Sequence, residues 1–143
     1  MSLRLSLFGA PTIAYGGSSH ALDFERRGQL LAYLALKRTW VARSEVAALL
    51  WPDQPGRLAF ANLRKALFRL ASLPWSDRVE SDGGALRFDV PTDVLAFESA
   101  LREKRAVDAV ALRRGELLAG FDDHGNQAWS DWLRFERDRL RVA

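Results

Sequence analysis

The hydrophobic period of this chain changes three times, and each change limits the folds that the chain can adopt. Apolar and polar residues alternate from Leu3 to Leu7, which is typical of a half-buried strand. From Arg26 the apolar residues recur with a period near 3.6, which is typical of helices. After Pro74 the period returns to two, and beyond Pro91 it is helical again. We therefore predict an α+β chain in the order sheet, helices, hairpin, helices.

Glycines and prolines bound the predicted elements. The pair Gly16-Gly17 and the stretch DGG at 82–84 predict hairpin turns, because these residues tolerate positive φ. Three helices lie between the hairpins. The first carries an apolar stripe and ends near Lys37, the second is capped by Ser44 and stopped by Pro52, and the third runs from residue 57 until Pro74. Three more helices are predicted after Thr92, in DVLAFESALREK, AVDAVALRRGELLAG and AWSDWLRFERDRLRVA.

The composition argues against most catalytic chemistry. The chain of 143 residues has no cysteine and two histidines, His20 and His124, which are not spaced as metal ligands. No phosphate-binding glycine loop occurs, and the Asp122-Asp123-His124 stretch is expected to be solvated. We predict no catalytic residues, no metal and no cofactor. No apolar run is long enough to span a membrane and no signal peptide is evident, so a cytoplasmic protein is expected.

Positive charge is concentrated in the middle of the chain. Nine Lys or Arg residues lie between Arg26 and Ser72, opposed by only Glu45 and Asp53, which gives this segment a charge of +7 in a chain whose total is +3. Such a distribution favours a polyanionic partner bound at one place. The alternative is a set of solvated helix faces.

The third predicted helix separates its charges from its core residues. At about 100° per residue, one side carries the apolar residues and the other carries cations without any acidic residue. A solvated face usually mixes both signs, whereas DNA phosphates would compensate this repulsion. Phe68 can lie against a thymine methyl or a sugar, or can be buried against a second domain. The predicted core residues are Ala59, Phe60, Leu63, Ala66, Leu67 and Leu70, and the predicted outer residues are Arg57, Ala61, Arg64, Lys65, Phe68, Arg69 and Ser72.

Two helices joined by a short turn, a third presented outward and a hairpin beyond it describe a winged helix-turn-helix. The stretch LLAYLALKRTWVARSEVAALLWPDQPGRLAFANLRKALFRL resembles the DNA-binding region of the SARP class of bacterial transcriptional activators. DVLAFESAL, RRGELLAGF and WSDWLRFERDRLR resemble the start of the bacterial transcriptional activation domain that follows it in that class. The resemblance implies an OmpR-type winged helix with a leading antiparallel sheet and a C-terminal wing hairpin over residues 1–91, and an all-α, TPR-like segment over residues 92–143.

The resemblance also implies a function and its residues. It implies an activator that binds double-stranded DNA at direct repeats near promoters and contacts RNA polymerase. The wing turn departs from the class, because Glu80 and Asp82 stand where a basic tip would suit the minor groove. The candidate DNA-binding residues are Arg43, Arg57, Asn62, Arg64, Lys65, Phe68 and Arg69, with Arg78 and Arg87 on the wing strands. The candidate polymerase-contact loop comprises Trp51, Pro52, Asp53 and Gln54.

A second reading assigns the chain to protein interaction. In it the winged helix no longer binds DNA, and the TPR-like helices make the contacts through apolar residues of the last helix, Trp129, Trp132, Leu133 and Phe135. That helix is apolar on more than one face, so pairing with a second copy is compatible with it. The chain is shorter than the complete activation domain of the class requires, as a fragment or a short stand-alone member would be. An ionic-strength series of binding to duplex DNA separates the two readings.

Overall fold

A computed structural model describes residues 2–141, and within that range it shows a mixed α/β chain with two small antiparallel sheets and six helices. The predicted class and order of elements are confirmed at this level. The strands are β1 Leu3–Ser6, β2 Thr12–Tyr15, β3 Ser18–Ala21, β4 Val41–Ala42, β5 Glu80–Asp82 and β6 Ala85–Arg87. The helices are α1 Arg26–Lys37, α2 Arg43–Leu50, α3 Gly56–Leu70, α4 Asp93–Arg102, α5 Ala106–Leu112 and α6 Gln127–Arg141. None of the described helices has the length and apolar content needed to cross a membrane.

The chain folds as two compact units. Within the described residues, the first unit contains 2–22, 90–122 and 132–141, and the second contains 23–89 and 123–131. The N-terminal sheet thus groups with the helices that follow residue 90, whereas the boundary predicted after residue 91 groups it with the middle helices. The division into functional domains 1–91 and 92–143 stays a prediction.

The first unit is built on the N-terminal sheet. Strands β1, β2 and β3 pair antiparallel in that order, with Leu5 opposite Ile13. Leu3, Leu5 and Leu7 are all buried, which confirms the alternation predicted for them. The β2–β3 turn uses Gly16 and Gly17, with φ of 59° and 86°, conformations that glycine adopts without steric cost.

The segment after α5 is not helical, and the prediction for it was wrong. Helix α5 ends at Leu112, and the following residues bind the end of β1 instead. The amide N–H of Leu118 donates to the carbonyl of Leu7 at 2.8 Å, and that of Gly9 donates to the carbonyl of Glu116 at 2.8 Å. A side chain on Gly115 would place its Cβ 3.1 Å from the Cα of Gly9, so the two backbones pack directly. These pairings replace the bonds of a helix.

Helix α4 is joined to β1 through its first residue. The carboxylate of Asp93 accepts from the N–H groups of Leu7 and Phe8, at 2.7 and 3.1 Å. Thr92 caps the helix by accepting from the N–H of Leu95 at 3.0 Å. Burial raises the pKa of Asp93 even though the two N–H donors oppose this rise. Asp93 therefore satisfies backbone groups that would otherwise lie unpaired beside the buried Leu7 and Phe8.

We expect Asp93→Ala to lower the free energy of unfolding by about 1–3 kcal/mol, because two amide groups lose their acceptor. Asp93→Asn keeps one acceptor and should lose less. Because the pKa is raised in the folded state, the carboxyl contributes most to stability at low pH, below its unfolded pKa, and less as the pH rises through its folded pKa. The asparagine variant should lack this dependence. Urea unfolding between about pH 3 and 7 measures both effects.

The matched control for this prediction is Asp108→Ala. Asp108 also lies in the first turn of a helix, but it is exposed and pairs with Arg105 at 2.9 Å on the surface. Exposed pairs contribute little to stability. Equal losses from the two alanine variants would show that the amides of Leu7 and Phe8 find other acceptors.

The second unit consists of α1, α2 and α3 with a sheet in the order β4-β6-β5. Every residue of α1 from Gly28 to Ala35 is buried, so the helix is covered on all sides rather than along one stripe. The turn between β5 and β6 uses Gly83, with φ of 58°, as predicted for the DGG stretch.

The predicted cap at Ser44 was wrong. Helix α2 begins at Arg43, and Ala42, which precedes it, has no side chain able to cap. Instead Ala42 pairs with Ala85 in the sheet, and the N–H of Arg43 donates to the carbonyl of Gly84 at 2.7 Å. Pairing with the hairpin therefore satisfies the first N–H group of α2, and no side chain caps the helix.

The loop before α6 begins the part of the second unit that spans residues 123–131, and hydrogen bonds hold it to α1 and α2. The carboxylate of Asp123 accepts from Arg26 at 3.0 Å and from the fully buried Gln29 at 3.3 Å. The prediction that this carboxylate is solvated was therefore wrong. Asn126 caps α6 by accepting from the N–H of Trp129 at 3.1 Å. Its amide also donates to the carbonyl of Leu49 at 2.9 Å. The described residues hold no cluster of His, Asp or Glu able to bind a metal.

Candidate nucleic-acid interface

Helix α3 is amphipathic, with its cations on the free side. Ala59, Leu63, Ala66 and Leu70 are buried. The predicted outer residues Arg57, Arg64, Lys65, Phe68, Arg69 and Ser72 are all exposed, and Ala61 is half-buried. The 15-residue helix therefore offers solvent a surface that is rich in positive charge and has no acidic residue.

Two residues at the edge of the predicted core behave differently. Phe60 is 37% exposed and Leu67 is half-buried, so assigning Phe60 to the core was wrong. The buried residues are centred on the line of Leu63, Ala66 and Leu70. At about 100° per residue, Phe60 lies roughly 90° from the centre of that arc. A residue at that angle is buried only when a neighbouring element reaches around the helix.

The four cations on α3 have no carboxylate partner among residues 2–141. Ion pairs elsewhere in the second unit join Arg26 to Asp123, Arg27 to Asp23 and Arg87 to Glu80, at 3.0, 2.9 and 2.7 Å. No described carboxylate lies within ion-pair distance of the α3 cations, which are Arg57, Arg64, Lys65 and Arg69. Ion pairs with the described residues therefore do not relieve the mutual repulsion of these cations that the sequence predicts.

A cleft runs along one flank of α3. It has a volume of about 330 Å³ and opens between α3, the start of α1 and the end of α2. Four of its lining residues are cationic and one is acidic. The cleft is lined by Glu25, Arg26, Arg27, Trp51, Asn62, Lys65, Ala66 and Arg69. Arg26 and Arg27 are paired with Asp123 and Asp23, so, among the described residues, the unpaired positive charge of the cleft comes from Lys65 and Arg69 of α3.

The structure brings two predicted sites together at Asn62. The side-chain amide of Asn62 donates to the Oε1 atom of Gln54 at 2.6 Å. Asn62 was predicted to contact DNA, and Gln54 belongs to the predicted polymerase-contact loop. In that loop Trp51 is half-buried, whereas Pro52, Asp53 and Gln54 are exposed. The roles of these residues stay predictions.

The hairpin of β5 and β6 carries an ion pair on its exposed surface. The guanidinium of Arg87 donates two hydrogen bonds to the carboxylate of Glu80, at 2.7 and 2.9 Å, and stacks 4.6 Å from the ring centre of Trp40. The bond from Arg87 lowers the pKa of Glu80. Glu80 thus compensates the positive charge of Arg87. Asp82 lies exposed at the turn.

We expect neutralising both carboxylates, in Glu80→Gln with Asp82→Asn, to strengthen non-specific DNA binding. The change removes repulsion of phosphate and frees Arg87, so the gain should be largest at low salt. Fluorescence anisotropy with a random-sequence duplex at several salt concentrations measures it.

The control for the hairpin variant is Asp108→Asn, which neutralises one carboxylate of an exposed arginine pair in the first unit. It should change DNA affinity less than Glu80→Gln alone. Weaker binding by the hairpin variant would instead mean that Glu80 orients Arg87 for a specific contact.

The two remaining predicted contacts near the hairpin are Arg43 and Arg78. Arg43 donates to the Oγ atom of Ser81 at 2.8 Å, which ties the start of α2 to β5. Arg78 ends a short 3-10 turn, Ser76–Arg78, and so lies before the strand on which it was predicted. Neither position is tested for DNA contact, and both assignments stay predictions.

The comparisons with known proteins bear on the fold. No protein-family model and no curated protein matches this sequence. Among solved structures, the chain is similar to Mycobacterium tuberculosis EmbR in complex with a low-affinity phosphopeptide, with a TM-score of 0.68 and 16% sequence identity. The similarity covers 98% of this chain and 43% of the EmbR chain. The chain therefore shares this fold and spans less than half the length of that protein.

Proposed function

We propose that this chain is a sequence-specific DNA-binding transcriptional regulator of the SARP type and not an enzyme. In this proposal α1, α2 and α3 with the β5–β6 hairpin form the winged helix-turn-helix, and α3 enters the major groove. The observation that carries it is the set of cations on α3, which have no carboxylate partner among the described residues. Counterion release makes each of these charges favourable beside phosphate, whereas in the free protein they repel one another.

The residues take separate roles in the proposed complex. Arg64 lies on the exposed face of α3, and in this proposal its guanidinium donates to O6 and N7 of guanine. Lys65 and Arg69 line the cleft beside α3, and in this proposal they contact phosphate. Arg43, Arg57 and Asn62 flank this surface, and Arg78 and Arg87 belong to the wing. This division follows the general rule that phosphate contacts position a protein and base contacts confer specificity.

The finer features of the proposal rest on the resemblance to the SARP class. They are activation of transcription, binding to direct repeats near promoters, contact of the Trp51–Gln54 loop with RNA polymerase, and a cytoplasmic location. Three of the four loop residues are exposed, as a contact would need. The similar fold of EmbR supports the architecture of the proposal, whereas its phosphopeptide is a property of that protein.

An ionic-strength series tests the proposal. The logarithm of the affinity for a duplex should fall linearly with the logarithm of the salt concentration. The expected slope is about −3 to −4 if each of the four α3 cations displaces a counterion from the DNA. Selection from a random duplex library should then enrich a defined sequence. Absence of binding at low salt, or affinity that does not depend on salt, would contradict the proposal.

The second candidate function is a protein-interaction module. It is favoured by exposed apolar residues in the C-terminal helices: Val107 and Val110 on α5 are 84% and 76% exposed, and Phe135 on α6 is 65% exposed. By contrast, Trp129 and Leu133 are buried, so they do not form the contact surface suggested for them. This function gains support if the salt series fails and the solution mass rises with concentration, as a homodimer requires.

A further inference from the structure

Phe68 is the large aromatic side chain that the sequence could place either in the core or on the surface, and it is 82% exposed. Single exposed apolar residues are common on proteins and need no explanation. Phe68 differs because of its surroundings along α3. Arg64, Lys65 and Arg69 flank it within one turn of the helix, and none of them has a carboxylate partner among the described residues. The aromatic ring thus lies inside the surface proposed to bind DNA.

A line of residues along α3 extends this feature. Leu58, Ala61, Lys65 and Phe68 follow one another at spacings of three, four and three, so they lie on one side of the helix. Leu58 is 47% exposed and Ala61 is half-buried. Ala61 has a small side chain, and Lys65 separates it from Phe68. Leu58, Ala61 and Phe68 give this side of the helix apolar groups, which phosphate binding alone does not need.

The chemistry of duplex DNA limits what an apolar side chain can recognise there. The major groove admits an α-helix, and the apolar group that it presents to such a helix is the C5-methyl of thymine. Stacking on an unpaired base is the usual alternative for an aromatic residue, but it occurs on platforms that track a single strand. A regular helix face lined with cations fits the groove of a duplex better.

We propose that Phe68 contacts a thymine C5-methyl group in the major groove and is therefore a specificity-determining residue. The proposal rests on the proposed function, because it assumes that α3 enters the groove. It adds that part of the sequence preference is read through an apolar contact rather than through hydrogen bonds. Loss of the methyl group alone should then weaken binding at one position of the site.

The experiment removes single methyl groups from the DNA. Duplexes selected from a random library are resynthesised with each thymine replaced in turn by deoxyuridine, which lacks only the C5-methyl. The full chain should bind about fourfold more weakly when the methyl against Phe68 is removed, the factor expected for one buried methyl group. In Phe68→Ala the same replacement should have no effect at that position, and Phe68→Leu should retain part of it.

Phe135→Ala is the matched control. Phe135 is also an exposed phenylalanine on a helix, but it lies on α6, outside the second unit. This variant should keep the thymine dependence of the unmodified chain. Because Phe68 is mostly exposed, both alanine variants should keep their melting temperature, which excludes misfolding as the cause of any change.

The outcomes separate this inference from the proposed function. Salt-dependent binding that no deoxyuridine replacement weakens would overturn the inference and leave the proposed function standing. The same loss in Phe68→Ala as in the unmodified chain would also overturn it, because another residue would then contact the methyl. If no duplex binds in a salt-dependent manner, the proposed function itself fails, and the exposed Phe68 would have to be assigned to a protein partner.

Discussion

Arg64→Ala is expected to weaken binding to the selected duplex by about 1–3 kcal/mol, or roughly 5- to 150-fold, with almost no change in melting temperature. Arg64 is exposed and contributes nothing to the buried face of α3. If it donates to guanine O6 and N7, its loss should also relax the preference at one base pair. Lys65→Ala should weaken binding to all duplexes alike and make the salt dependence less steep by about one.

Affinity measurements on selected and random duplexes distinguish these two results. The control variant is Arg134→Ala, which removes an equal charge from an exposed position of α6 in the first unit. It should leave both affinities nearly unchanged. If neither Arg64→Ala nor Lys65→Ala alters the affinity, α3 is not the recognition helix, and the protein-interaction reading becomes the better one.

The separation of faces on α3 could be predicted because it depends on local geometry. The angle per residue alone assigns Leu63, Ala66 and Leu70 to the core and Arg64 and Lys65 to the surface. The same holds for the alternation in β1 and for the glycine turns. The edge position Phe60 was assigned wrongly, because its burial depends on how far neighbouring elements extend around the helix.

The remaining errors have their cause in contacts between residues far apart in sequence. Residues 113–119 read as helix, but their backbone binds residues 7–9, more than a hundred positions away. Ser44 was predicted to cap α2, but the helix begins one residue earlier, where the N–H of Arg43 donates to the carbonyl of Gly84 in the hairpin. No periodicity within a segment reports such partners.

The pairing of side chains within the candidate site could not be predicted from the sequence. Arg87 was predicted to contact DNA, and the structure shows it bound to Glu80 and stacked on Trp40. Asn62 was predicted to contact DNA, and its amide is bound to Gln54. Charge counts locate a basic surface, but they do not say which cations are already neutralised. The four cations of α3 are informative because no carboxylate in residues 2–141 pairs with them.

The largest loss of stability is expected from Gly28→Ala, at the start of α1. A Cβ atom on Gly28 would lie 1.8 Å from the carbonyl oxygen of Asp23 and 2.9 Å from its carbonyl carbon. Both are backbone atoms, so relief requires the chain before the helix to move. Asp23 is also held by Arg27, whose guanidinium donates to its carboxylate at 2.9 Å. We therefore expect the free energy of unfolding to fall by about 3 kcal/mol or more.

Gly56→Ala provides the matched control, since Gly56 opens α3 and a Cβ there would meet no atom within 4 Å. This variant should be as stable as the unmodified chain, or more stable by up to about 1 kcal/mol, because alanine loses less backbone entropy on folding. Urea unfolding of both variants gives the comparison. DNA affinity of Gly28→Ala should fall only in proportion to its folded fraction, because Gly28 does not belong to the α3 surface. Equal stability of the two variants would mean that the backbone at Asp23 moves away from the added Cβ without a loss of stability. The close approach would then not fix the start of α1.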